Sequence, residues 1–152
     1  MTDRNRSNSP KSFFSKDELQ KISESIAAVE EKTSAEIRVR LEKKCEGDPL
    51  DRARILMNEL GMTKTKGRNA VIIYIALEDH RFAIFGDEGI HKVMGDEGWK
   101  ALSNQLAEYF RKGQFCEGLT QIIYKIGDML VKPFPPAAEN VNELTNEPSF
   151  GE

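Results

Sequence analysis

The chain has 152 residues, 39% of them hydrophobic and 31% charged, which suits one soluble domain with a real core and excludes fibrous and membrane-spanning compositions. Twenty-two Lys and Arg against 25 Asp and Glu leave a net charge of −3, an argument against a dedicated nucleic-acid binder. Two cysteines, Cys45 and Cys116, with no CxxC spacing, exclude a disulfide framework and a zinc ribbon, and point to a reducing compartment.

Residues 1–16 contain no apolar stretch of signal-peptide length. The longest apolar run, Ala70–Leu77, falls far short of the ~20 residues that span a bilayer. The expectation is a cytoplasmic protein without direct membrane insertion. Residues 1–12 and 135–152 read as disordered tails, the second acidic, because they bury too little to offset their ordering entropy. Residues 13–134 form the patterned domain between them.

In chain order, Ser15 and Glu18 make an S-x-x-E capping box that opens a helix with Leu19, Ile22, Ile26 and Val29 on one face. Phe14, just before the cap, is placed to staple that helix to the core. Glu36–Leu41 alternates strictly and predicts a strand, with Ile37, Val39 and Leu41 on one side and Glu36, Arg38 and Arg40 on the other. Asp48 and Pro49 start a second helix that buries Ala53, Leu56, Met57 and Leu60 and stops at Gly61. Ala70–Ala76, AVIIYIA, predicts a central strand buried on both faces, and Arg81–Phe85 its hairpin partner. Two helices complete the domain, Asp96–Phe110 and Phe115–Val131, separated by Gly113. The order α-β-α-β-β-α-α predicts a three-layer α/β/α sandwich, a small mixed sheet flanked by helices. The first two strands should run parallel and the third antiparallel.

That topology gathers three chain points at one edge of the sheet. They are the start of the first strand (Thr33, Ser34, Glu36), the start of the second (Arg68, Asn69) and the end of the third (Gly86, Asp87, Glu88). The sequence GDEG occurs there at residues 86–89 and again at 95–98, so that Asp87, Glu88, Asp96 and Glu97 stand among turn-forming glycines. Oxygen-rich loops of this kind suit Ca²⁺ or Mg²⁺. The same residues equally serve as turns and caps, with Asp96 as the N-cap of the next helix. Lys64, Lys66 and Arg68 in TKTKGRN offer a phosphate clamp or simply solvated loop charge, and no P-loop motif is present. Trp99 falls at a core position, His80 in the hairpin turn away from the acidic edge, and Cys45 lacks a His partner in sequence.

Three segments carry a family resemblance: TSAEIRV (33–39), GMTKTKGRNAVIIYIALEDHRFAIFGDEGI (61–90), and the run Trp99, Phe110, Gly113, Phe115 and Gly118. Together they resemble the TPM domain, the family of a thylakoid lumen phosphatase-like protein linked to photosystem II repair and of related bacterial proteins. The resemblance covers residues 13–134. It implies an α/β/α sandwich, divalent-cation binding and, by a plant member, acid phosphatase activity. It carries over Glu36 as the acid of the T-[GS]-x-E-[IV] motif, Asp96 as the later acid and Arg81 as the basic residue opening the third strand. The family's G-Y-G-L-E segment is represented by Gly86-Asp87-Glu88-Gly89-Ile90-His91, with acids in place of the aromatic.

The resulting expectation is a divalent cation, Ca²⁺ before Mg²⁺, held by Asp87, Glu88 and Asp96 with Glu36 as a further ligand. The role would be accessory, with a protein partner and without nucleic acid. The alternative is a metal-assisted phosphatase acting on phosphomonoesters, with Arg68 holding the phosphate.

Overall fold

A computed structural model describes residues 6–64, 68–136 and 148–151. Helix α1 spans Lys16–Glu30, and its capping box forms as the sequence predicts, Ser15 accepting from the Glu18 amide and Glu18 from the Ser15 amide. Strand β1 (Glu36–Glu42) follows, then helix α2 (Pro49–Glu59) capped by Asp48, and a 3₁₀ turn at Met62–Lys64. Strand β2 (Ala70–Ala76) is buried along its whole length, and β3 (Arg81–Gly86) returns beside it. Helix α3 (Glu88–Arg111) and helix α4 (Phe115–Leu130) close the sandwich.

The sheet has the order β3-β2-β1-β4, with β1 parallel to β2 and β3 antiparallel to β2. Period-two alternation divides its side chains between two cores. Ile37, Val39 and Leu41 of β1 and Val71, Ile73 and Ile75 of β2 face α1, α3 and α4. Ala70, Ile72, Tyr74 and Ala76 face α2, where Ala53, Leu56, Met57 and Met62 cover them. Four helices around an open mixed sheet make the expected α/β sandwich. No helix among the described residues is long and apolar enough to cross a membrane.

Two elements differ from expectation. The last-but-one helix begins at Glu88 rather than Asp96, because Asp87 is itself an N-cap whose carboxylate accepts from the Glu88 amide. Gly95, at φ 66° and ψ 171°, breaks α3 between its first turns and the predicted segment. A short strand β4 (Ser149–Phe150) also pairs parallel with Arg40 and Leu41 of β1, inside the stretch read as an acidic tail. Residues 137–147 of that stretch lie outside the described residues. On the other side, Arg6 reaches back to Glu18 in a bidentate pair and stands over the rings of Phe13, Phe14 and Phe115. An ion pair and aromatic contacts thus extend the packed chain upstream of residue 13. Phe14 is buried, as a staple requires.

Helices α1 and α4 meet through a glycine. A Cβ at Gly127 would stand 2.7 Å from Val29 Cγ1 and 2.8 Å from Cγ2. Valine on a helix is locked near one rotamer and cannot turn aside. Gly127→Ala should therefore lower stability by about 1–2 kcal/mol, the overpacking outweighing alanine's better helix propensity. Adding Val29→Ala should recover part of that loss in urea unfolding; no recovery would place the strain elsewhere.

Candidate functional site

The three chain points do come together at the edge the topology selects. The Glu36 amide donates to the Asn69 carbonyl, Asn69 Nδ2 donates to the Ser34 carbonyl at 2.8 Å, and the Asp87 amide donates to the Ala70 carbonyl. At the centre is a bidentate pair: Arg68 Nε donates to Asp87 Oδ2 at 2.6 Å and Arg68 Nη2 to Oδ1 at 2.8 Å. Asp87 is buried, 4% exposed, while Glu88 lies at the surface with an oxygen 3.9 Å from Arg68 Nη1. The hydrogen bond to Asp87 raises the basicity of Arg68 further. Arg68 adopts φ 50°, a left-handed backbone that costs a non-glycine residue about 1 kcal/mol. The Gly89 amide donates to the Arg68 carbonyl and ties that turn to the start of α3.

This pair borders an open cleft of about 340 Å³ between α2 and the start of α3, lined also by Arg54, Asn58, Thr63 and His91. The other acids of the expected set lie apart from Asp87. The Asp96 side chain is 97% exposed, with its carboxylate 3.8 Å from His91 Nε2. His91 Nδ1 in turn accepts from the Trp99 indole at 3.3 Å. Glu36 stands on β1, separated from β3 by β2, and interacts with Glu30 at the end of α1. Among the described residues no group of three or more His, Cys, Asp or Glu side chains comes together to hold a metal. The four carboxylates of the two GDEG segments thus fail to converge as one cluster, because the first segment starts a helix and its Asp is neutralised by Arg68. Of the basic loop, Arg68 serves Asp87; Lys66 and the side chain of Lys64 lie outside the described residues.

Sequence reasoning missed Glu30. Its Oε2 accepts from the Ile37 amide at 2.9 Å, capping an outward-facing donor of β1. Burial pushes Glu30 up to about 8, and the neighbouring Glu36 carboxylate adds to the rise. One signal was present: an acid in the last turn of a helix opposes the macrodipole and needs a local reason to be there. His91 and Trp99, eight residues apart across the Gly95 break, left no such signal.

A family model described as TPM domain matches residues 7–129. Among solved structures, the BA42 protein of the psychrophilic bacterium Bizionia argentinensis is 40% identical, with a TM-score of 0.86 over 93% of this chain and 97% of that one. The N-terminal domain of a protein from P. gingivalis is 17% identical, with a TM-score of 0.67 over 80% of this chain and 78% of its own. The N-terminal domain of the cg2496 protein of Corynebacterium glutamicum is 18% identical, with a TM-score of 0.61 over 77% and 74%. The last two show the likeness of fold alone. No curated protein matches the chain.

Proposed function

This chain belongs to the TPM domain family, and on that premise we propose that it is a cytoplasmic accessory module that takes a divalent cation at Asp87 and Glu88 and works with a protein partner. The observation that carries the reading is the bidentate Arg68–Asp87 pair with Glu88 beside it: two carboxylates already gather around one positive charge. The cytoplasmic placement rests on Cys45 and Cys116, both unpaired thiols.

The residues present fit a weak site better than a cage. Ca²⁺ takes about six to eight oxygens, and the expected four-acid set is not assembled, so Asp87 and Glu88 would supply the protein's share and water the rest. A bound cation would supply charge neutralisation in place of the guanidinium. Asp87 provides the fixed, buried carboxylate, and Glu88 the exposed one at the mouth of the cleft. Arg68 acts as the competitor, leaving Asp87 when the cation arrives. The phosphatase reading is less favoured, because Arg68 is spent on Asp87 in a two-point fork and is not poised for a phosphate.

Titration with Ca²⁺ and Mg²⁺, followed through backbone amide shifts, tests the proposal. Residues 86–89 should shift and saturate at millimolar cation. Arg68→Ala should bind several-fold tighter, since the internal competitor is gone, whereas a phosphate-holding arginine would leave cation affinity unmoved. Asp87→Asn keeps a good N-cap but loses the charge, and should abolish the response. Unchanged shifts at residues 86–89 in the wild type would sink the reading.

A further inference from the structure

We propose that a second cleft, at the opposite end of the sheet, is a binding site for a small amphipathic carboxylate. It opens where β2 ends and the hairpin to β3 begins, between the upstream segment, the end of α3 and the start of α4. Its volume is about 400 Å³, within the range of small-molecule sites.

Two independent observations define the ligand's chemistry. The first is an apolar body formed by aromatic rings in contact. Phe14 meets Phe13 edge-on at 4.9 Å between centroids, Phe13 meets Phe115 at 5.2 Å, Phe115 meets Phe110 at 5.4 Å, and Phe110 meets Phe82 at 5.3 Å. Phe82, Phe110 and Phe115 are only partly buried, so ring surface faces the cleft. A chain or ring of carbon laid against them leaves water, and that is where the affinity would come from.

The second observation is charge of one sign. Arg6, Arg81 and Arg111 line the cleft, and no carboxylate does. Arg6 is held by Glu18 and Arg111 by Glu108. Arg81 is different: its Nη1 donates to the neutral Gly47 carbonyl at 2.8 Å, and it has no ion pair among the described residues. Its charge is therefore uncompensated at the rim of an apolar cleft. A guanidinium in that position recognises a carboxylate by a forked, charge-assisted pair. The occupant that satisfies both observations is a compact apolar body ending in one carboxylate, lying on the Phe110 and Phe82 rings with its head at Arg81. Arg111 lends further positive potential from the end of α3. This site shares no lining residue with the Asp87 cleft, and it stands or falls separately from cation binding.

Decanoate below its micelle threshold, with decanol as the uncharged match, tests the proposal on the full chain by amide shifts. Saturable shifts at Phe82, Phe110 and Phe115 are expected with decanoate, and about tenfold weaker binding of decanol. Arg81→Ala, at an exposed position, should weaken decanoate about tenfold and leave decanol unchanged. Ala107→Leu should block both probes by filling the cleft, so a folding defect in one variant leaves the other to report. Equal binding of decanoate and decanol, or decanoate shifts that spare these three residues, would overturn the proposal. So would full decanoate affinity in both variants.

Discussion

Glu42→Ala should lose about 3 kcal/mol of stability, the largest effect expected of any single polar substitution in the domain. Glu42 ends β1 on the face that Ile37, Val39 and Leu41 do not occupy, and its carboxylate is 8% exposed. Oε1 accepts from the Tyr74 hydroxyl at 2.9 Å and from Arg52 Nε at 3.0 Å. Oε2 accepts from Arg52 Nη2 at 2.8 Å and from Arg40 Nη2 at 3.0 Å. Removing the acid leaves a fully buried phenol and a partly buried guanidinium without their acceptor, which is why the loss exceeds that of a surface pair. Arg52 is 31% exposed and can turn to water, so the figure sits at the low end of the range for buried pairs.

The pH dependence of that loss has a definite sign. Burial opposes ionisation of Glu42, but the hydrogen bonds from Arg52, Tyr74 and Arg40 outweigh it and hold the carboxyl below its usual value of 4.5. A folded pKa below the unfolded one contributes stability above the unfolded value, lost as pH falls through the folded one. The gap between wild type and Glu42→Ala should therefore be full at neutral pH and narrow on acidification below about 4.5. Glu42→Gln, which keeps an acceptor for Tyr74, should fall between the two. Urea unfolding at neutral pH that finds a loss under about 1 kcal/mol would show that the network is solvated rather than structural.

How much of this was legible beforehand depended on the range of the interaction. The capping box at Ser15, the Asp48–Pro49 start and the all-buried run Ala70–Ala76 follow from local rules, and each forms where the sequence puts it. The gathering of Ser34, Asn69 and Asp87 at one edge followed from strand directions alone. The partner choices within that edge did not. Nothing in GDEG tells whether Asp87 will face a cation, cap a helix or bind Arg68, because those outcomes differ by the placement of one guanidinium nineteen residues away. The repeat also misled: identical tetrapeptides at 86–89 and 95–98 suggested one cluster, yet one caps a helix at a buried edge and the other lies exposed beyond the Gly95 break. Strand β4 was illegible for a simpler reason, since two residues pairing with Arg40 and Leu41 carry no periodicity to detect.

The pair missed by sequence makes the remaining prediction, which opposes Glu42 in sign. Glu30 and Glu36 place two carboxyl groups side by side where the end of α1 meets the start of β1. Like charges this close cannot both ionise cheaply, and burial has already raised Glu30 from 4.5 to about 8. A folded pKa above the unfolded one gives stability that is complete below about 4.5 and is lost as pH rises through about 8. The wild type should therefore weaken across the neutral range, while the Glu42 network holds its own contribution constant there. A tenfold difference in proton affinity between the folded and unfolded chain is worth about 1.4 kcal/mol. Sharing of the proton with Glu36 brings the expected fall to about 2 kcal/mol between about pH 5.5 and pH 8.5. Glu30→Gln keeps an oxygen for the Ile37 amide and turns an NH₂ toward Glu36 in place of the shared proton. That variant should show a flat profile over the same window and be the more stable protein at the alkaline end. Thermal or urea unfolding at both pH values reads the difference directly. Parallel profiles for the two proteins would mean that Glu30 is ionised throughout, its charge already carried by the surrounding backbone.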